Sequence, residues 1–404
     1  MPKTLDIAAQ EGLHFDRRTA RPLTKYSRRE SGIELLKIIA IFAIVISHTV
    51  QTLTSKNKYV GFSDYVFDIS HSTTDPLTFV FMLLRYLGQF GNIVFFICSA
   101  WFLVDSSKSS GKKVVNLIFE IWSVSIIILV ITYALLDGNI SKNFIADSLF
   151  PTSRASNWYM TCYILFYLIH PLLNKAIDCL TQKKQLLFIT VACFLYFGIG
   201  YANAVIFGGT LFFASALIQW SVIYFTVSYI KKYTPQFCEN IKANFALLFL
   251  AGAGHIFVVF AINVLGLKIS AMDGKTLNLV DVIGPFLIII AITLFNIFRK
   301  LKFKNIMINY VSSLSMLIYI IHENILLRTY FRPRIWQYIF LNYGYTHLLL
   351  WVFAVALAIF VCSFAVSSLY RLLFGKLNAV ISNKLYNIIE SVYRKYEAVI
   401  LKIK

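Results

Sequence analysis

The chain has 404 residues, 58% hydrophobic and only 14% charged, with 38 Lys and Arg against 19 Asp and Glu and a net charge of +19. A soluble chain of this length would carry nearly twice that share of charge. Repeated apolar runs of about 20 residues mark an all-α, polytopic membrane protein and exclude the weak alternating pattern of a β-barrel. The basic excess fits short loops and tails facing one side of a bilayer, and no nucleic-acid-binding motif accompanies it.

In chain order, residues 1–30 come first, polar and basic, with Arg17, Arg18, Arg21, Lys25, Arg28 and Arg29. They are expected to form a cytoplasmic arm. Ser31-Gly-Ile-Glu34 fits a capping box ahead of an apolar run. That run starts near residue 33 and is long enough to span, so it reads as a membrane helix and not as a cleavable leader. Ten apolar segments are expected to cross the bilayer, at roughly 33–52, 79–104, 114–136, 158–174, 185–202, 205–230, 244–265, 278–298, 308–328 and 346–373. The second and the last are long, which predicts tilting or a break. With the N-terminus in the cytoplasm, 27 of the Lys and Arg residues fall on that side and 9 on the other. This bias favours about ten transmembrane helices with both termini cytoplasmic.

One membrane domain over 31–374 is the simplest division, followed by a tail, 375–404. The tail alternates Leu377, Val380, Ile381, Leu385, Ile388, Ile389 and Val392 with Lys376, Lys384, Arg394 and Lys395. It reads either as an amphipathic helix on the inner leaflet or as an ordinary solvated one. The six cysteines form no CxxC and read as small apolar packing residues, with no metal site expected.

The first span, ELLKIIAIFAIVISHTV, carries two groups that hydrocarbon rejects, Lys37 and His48. Eleven residues at about 100° each amount to roughly three turns plus 20°, so both project from nearly one face, about 16 Å apart along the axis. Ionisable groups at such depths usually face a bundle interior or a wet cavity. The plainer readings are snorkelling of Lys37 to inner headgroups while paired with Glu34, and an interfacial His48.

These residues resemble the opening of integral-membrane acyltransferase family three, whose members modify bacterial surface sugars and related acceptors. In that family the first helix carries Arg or Lys, ten residues, then His, which Lys37 and His48 match. GNIVFFICSAWFL (91–103) is similar to the family's second-span run, with Ala100 where Gly is usual. NWYMTCYILFYLIHPLLN (157–174) and SMLIYIIHENILL (315–327) are similar to two later landmarks, in family order. The resemblance implies transfer of an acyl group, usually acetyl from acetyl-CoA, to a hydroxyl of a glycan or lipid-linked sugar. It implies a location in a bacterial cytoplasmic membrane.

The residue chemistry agrees. A sugar hydroxyl is a weak nucleophile, and an imidazole such as His48 suits a general base. Lys37, with Arg85 as helper, suits the phosphates and thioester carbonyl of an acyl-CoA. Arg85 falls nearer the outer side, where it would instead serve the acceptor. Ser99 reads as an acyl carrier or, more simply, as a packing hydroxyl. His322 and Glu323 sit toward the outer end of the ninth span. Glu323 there either orients a histidine or holds an acceptor hydroxyl, or else forms a helix-end ion pair with Arg328, Arg332 or Arg334. Trp158 and Tyr159 open the fourth span as belt aromatics or sugar-stacking residues. His170 and His255 read as structural. The rival function is a transporter or flippase for a polysaccharide precursor, which needs a polar cavity but no base.

Overall fold

The computed structural model describes residues 29–61, 66–106, 108–154, 156–208 and 215–402, so the foreseen basic arm lies outside them apart from its last two residues. Its main helices, in chain order, are α1 (Ser31–Leu53), α2 (Pro76–Leu103, turning at Tyr86), α3 (Gly111–Leu135), α4 (Trp158–Asp178), α5 (Gln182–Phe207), α6 (Ala216–Tyr233), α7 (Ile241–Lys268) and α8 (Pro285–Arg299). There follow α9 (Ile306–Ser313 and Ser315–His322), α10 (Arg332–Tyr343) and α11 (Leu348–Lys402). No β-strand occurs among the described residues.

Each of the ten foreseen segments contains helix, but seven helices among the described residues are long and apolar enough to cross a membrane: α1 to α5, α7 and α11. The other three differ for local reasons. α8 starts at Pro285, because the residue before a proline is pushed out of the helical region, and Gly284 there is extended (φ −90°, ψ 153°). α9 is interrupted at Leu314 and stops at His322. α6 is only 18 residues long and ends in Lys231 and Lys232.

α1 and α2 form the centre, each with 61% of its most apolar stretch buried, against 22% for α7 and α11. The central pair approaches closely at Gly91, where any side chain would meet the Ala40 carbonyl at 2.5 Å; small residues at a crossing permit such contact in membranes. Leu36, Ile41, Ile44, Ile93 and Ile97 continue this core into Phe96, Phe166, Trp220 and Phe295. The peripheral helices turn Phe249, Leu250 and Phe257 of α7, and Leu350 and Leu357 of α11, outward. In water such a surface would aggregate; in hydrocarbon it costs nothing.

Two expectations are corrected. Ser31 does not cap α1: Glu30 is the N-cap, without a side-chain bond. The Ser31 hydroxyl instead accepts the Asn305 N–H (2.7 Å) and donates to Asn309 Oδ1 (2.9 Å), and the Glu34 carboxylate accepts from Ser312. The reason is proximity, since Gly32 lets the end of α8 press onto the start of α1, 2.2 Å from where a Cβ would sit. The would-be cap is spent on tying α1 to α9. Second, the ninth span does not run helically through residue 328: helix ends at His322, and residues 323–324 are irregular.

The long second span does turn, at Tyr86, as its length predicted. α11 continues unbroken from the last span into the tail. Its register against α3 is set by Tyr370 bonding Ser123, Ser382 donating to Asn116 Oδ1 (3.0 Å), and the Tyr386 ring lying over Gly111.

Candidate active site

The polar stripe of α1 meets two different environments. At its start, Lys37 Nζ lies 3.4 Å from both oxygens of Glu34, which also faces Arg29 (3.6 Å) and accepts from Ser312. The i,i+3 spacing brings the pair together on one helix face, as the plainer reading of Lys37 held. Yet Lys37 also lines a cavity of about 1000 Å³ shared by Ser99 and Phe95 of α2, Lys113 and Glu120 of α3, Tyr159 and Tyr163 of α4, Tyr319 of α9, and Arg371 and Lys376 of α11. On α1 the cavity runs from Glu34 to Ile44.

His48 stands one turn beyond Ile44. Its Nδ1 contacts the carboxylate of Glu323 and lies 3.2 Å from His322 Nε2; the two imidazoles are nearly parallel, with centroids 5.4 Å apart. Glu323 is almost fully buried, and a carboxylate there must be paired. Its second oxygen takes Arg328 Nη1 at 3.0 Å. Arg332, also buried, donates to the His322 carbonyl and reaches the His48 carbonyl at 3.5 Å. Of the three roles open to it, Glu323 makes two contacts here: it touches a histidine and pairs with an arginine.

The cluster sits where the regular helix of α9 closes: the Glu323 N–H still bonds the Tyr319 carbonyl at 3.1 Å, and beyond it Asn324 holds the next turn by accepting the Leu326 N–H at 3.0 Å. Irregular backbone at membrane depth survives where protein surrounds it, and here Arg332 takes the freed carbonyl.

The hydrogen-bond network fixes the tautomers. His322 Nδ1 donates to the Ile318 carbonyl at 2.9 Å, so a neutral His322 presents Nε2 as an acceptor. His48 Nδ1 faces that acceptor and a carboxylate, so it carries hydrogen, and the lone pair of a neutral His48 lies on Nε2. A third ring, Tyr319, stands edge-on to His322 at 5.5 Å and lines the top of the cavity, beside Tyr159 at 5.6 Å.

The remaining foreseen residues are dispersed. Arg85, at the turn of α2, donates to the Ser47 carbonyl at 3.2 Å, and Ser47 returns its hydroxyl to the Arg85 carbonyl at 2.6 Å. It is thus beside His48 along α1 and away from the Lys37 cavity, whose lining does not include it. Tyr159 is buried, and its hydroxyl donates to the Asn92 carbonyl at 3.4 Å; Trp158 is 40% exposed and faces outward. His170 bonds the Tyr167 carbonyl and His255 packs edge-on to Tyr86, both as structural residues would.

The sequence did not single out the cavity wall from α11 or the part played by Ser312. An Asn directly after His-Glu, able to hold a turn, was the available signal for the break. His48, His322 and Glu323 offer ligand atoms all within 4.8 Å of one another. Arg328 and Arg332 already supply positive charge there, which opposes a divalent cation.

An acyltransferase-domain family profile, that of acyltransferase family three, matches residues 30–368. The chain belongs to that family and is a membrane acyltransferase. No curated protein and no solved structure gave a significant match.

Proposed function

We propose that the protein moves an acetyl or other short acyl group from cytosolic acyl-CoA to a hydroxyl of a cell-surface glycan or lipid-linked sugar. One observation carries the reading: an imidazole on the central helix, braced through Nδ1 by a buried carboxylate, with its basic nitrogen unbonded by that brace. In the reaction, His48 Nε2 takes the acceptor hydroxyl proton as that oxygen attacks the thioester carbonyl. The tetrahedral intermediate collapses, the C–S bond breaks, and the departing CoA sulfur receives the proton from Nε2. Glu323 stabilises the transient imidazolium and holds the ring in place.

Lys37 is assigned to donor entry. It stands about 16 Å of helix rise from His48, too far to touch the same carbonyl. It sits in a cavity lined by five cationic side chains and two acidic ones, suited to a phosphorylated ligand. The acceptor is assigned to the opposite side, where Tyr59, Tyr330 and Arg334 line an open groove of about 770 Å³ against the turn at 135–141. Aromatic faces and a guanidinium suit a sugar. Arg85, Trp158, Tyr159 and His322 complete the assignment: Arg85 and Trp158 toward the acceptor side, Tyr159 at the cavity top, and His322 beneath His48.

The charge bias supports ten crossings of a bacterial cytoplasmic membrane with both termini inside, α6, α8 and α9 supplying the three shorter ones. Family membership leaves the flippase reading without an observation in its favour. The deciding experiment is mass spectrometry of surface glycans from cells with and without the protein, and with His48→Ala at equal expression. The expected result is loss of one acyl-unit mass increment in both the deletion and the variant. Unchanged acylation in His48→Ala overturns the mechanism.

A further inference from the structure

The tail was foreseen as a unit separate from the membrane domain, yet its beginning is a wall of the Lys37 cavity. Arg371, Gly375, Lys376, Asn378 and Ala379 all line it, facing Lys113 and Asn116 of α3. This wall is held in place: Asn378 donates to the Tyr370 hydroxyl at 2.5 Å, and Ser382 is bonded to Asn116. Three cations meet there. Lys113 lies over the Tyr167 ring at 4.7 Å, and Arg371 donates to Ser313 Oγ at 3.1 Å. Among the described residues none of Lys113, Arg371 and Lys376 is in an ion pair within 4 Å. The acidic groups facing the same space are Glu120, which interacts electrostatically with Arg371, and Glu34, already taken by Arg29, Lys37 and Ser312.

We infer that Arg371 and Lys376 of α11, with Lys113 of α3, bind the phosphorylated nucleotide end of the acyl-CoA donor. The inference rests on the donor assignment above and adds the part of the donor that this wall reads. A guanidinium and two ammonium groups on a fixed wall suit phosphate oxygens. From this wall the cavity continues past Lys37 to Ile44 and Tyr319, leaving room for a pantetheine arm to carry the thioester toward His48. The residues are specificity determinants and touch no reacting atom.

The test uses full-length protein in nanodiscs of neutral phosphatidylcholine, with two donors, acetyl-CoA and S-acetylpantetheine, which lacks the phosphates and nucleotide. In the double variant Arg371→Gln/Lys376→Gln, KM for acetyl-CoA is expected to rise roughly tenfold to a hundredfold, from loss of two charge-assisted contacts, with kcat little changed. Use of S-acetylpantetheine is expected to stay within about twofold. Arg371→Lys/Lys376→Arg keeps the charge and is expected to recover most of the loss. Equal losses for both donors, or none for either, overturn the inference.

A phospholipid headgroup offers the same chemistry. If phosphatidylglycerol in the nanodisc competes with acetyl-CoA in the wild type but not in the double variant, and the variant's KM in phosphatidylcholine is unchanged, the wall serves lipid and the inference fails. A wild type that transfers acetyl from S-acetylpantetheine but neither binds nor uses acetyl-CoA removes the donor assignment itself, a result distinct from failure of the wall.

Discussion

The two ends of the α1 stripe use nearly the same parts. At the lower end one carboxylate, Glu34, meets Lys37 and Arg29 and accepts from a serine; at the upper end one carboxylate, Glu323, meets His48 and Arg328. The lower end offers an ammonium and a guanidinium, donors suited to holding an anion. Replacing one fixed cation by an imidazole turns a binding cluster into one able to do acid–base work. In the lower cluster the carboxylate's cations are its near neighbours in sequence, Lys37 at i,i+3 and Arg29, whereas in the upper cluster His48 reaches its carboxylate from 275 positions away. The comparison teaches that charge composition does not distinguish a binding site from a catalytic one; the proton inventory does.

The sharpest way to break this contrast is at the upper end. His48→Ala is expected to lower acyl transfer by about 10²–10⁴-fold, the usual share of a general base, with donor binding retained; initial rates with radiolabelled donor measure it. Glu323→Gln keeps the shape but loses the charge that steadies the imidazolium, and a kcat reduction of about 10²-fold with donor KM unchanged is expected. A comparable loss of donor affinity in either variant would erase the division of labour.

At the lower end the effects are smaller and of the other kind. Lys37→Met is expected to raise donor KM about tenfold at low ionic strength, less at high salt, while Lys37→Arg retains most of the affinity. Titration of donor binding at two salt concentrations checks this, and an unchanged KM would leave Lys37 as a helix-stabilising partner of Glu34.

The smallest effect concerns the loop between α1 and α2. His71 Nδ1 lies 2.8 Å from Asp273 Oδ2, pinning residues 70–72 to the turn after α7. The bond to that carboxylate raises the His71 pKa above its ordinary 6.5. A raised folded value means the contribution is complete below the ordinary pKa and fades as pH rises through the higher one. Amide exchange in residues 66–73 should therefore be slower at pH 6 than at pH 9 after correction for intrinsic rates, a difference His71→Gln abolishes. Both side chains are solvent-accessible, so a modest change is expected.

Much of this was legible in the sequence because it is periodic. The apolar runs located helix in all ten segments, and the eleven-position step from Lys37 to His48 located one stripe. What was not legible depends on where the pattern is interrupted. Hydropathy treats residues 308–328 as one run, since His-Glu-Asn is three positions in a long apolar stretch. The pairing of Glu323 with His48 is made where the helix closes, between residues far apart in the chain, which no local pattern reports. Ser31 and Glu34 had the spacing of a cap, but the helix beside them offered better partners. That the segment after residue 374 continues the last span as one unbroken helix was not legible, because the sequence marks no stop or continuation there.

One turn of α1 separates the end of the cavity from the imidazole, and Ile44 fills it. An enzyme embedded in an energised membrane is also part of that membrane's insulation. A continuous water thread across the bilayer would let ions run down their gradients, each charge releasing about 2.3 kcal/mol per 100 mV. Along α1, the buried apolar side chain of Ile44 is what such a thread would meet between the cavity and His48.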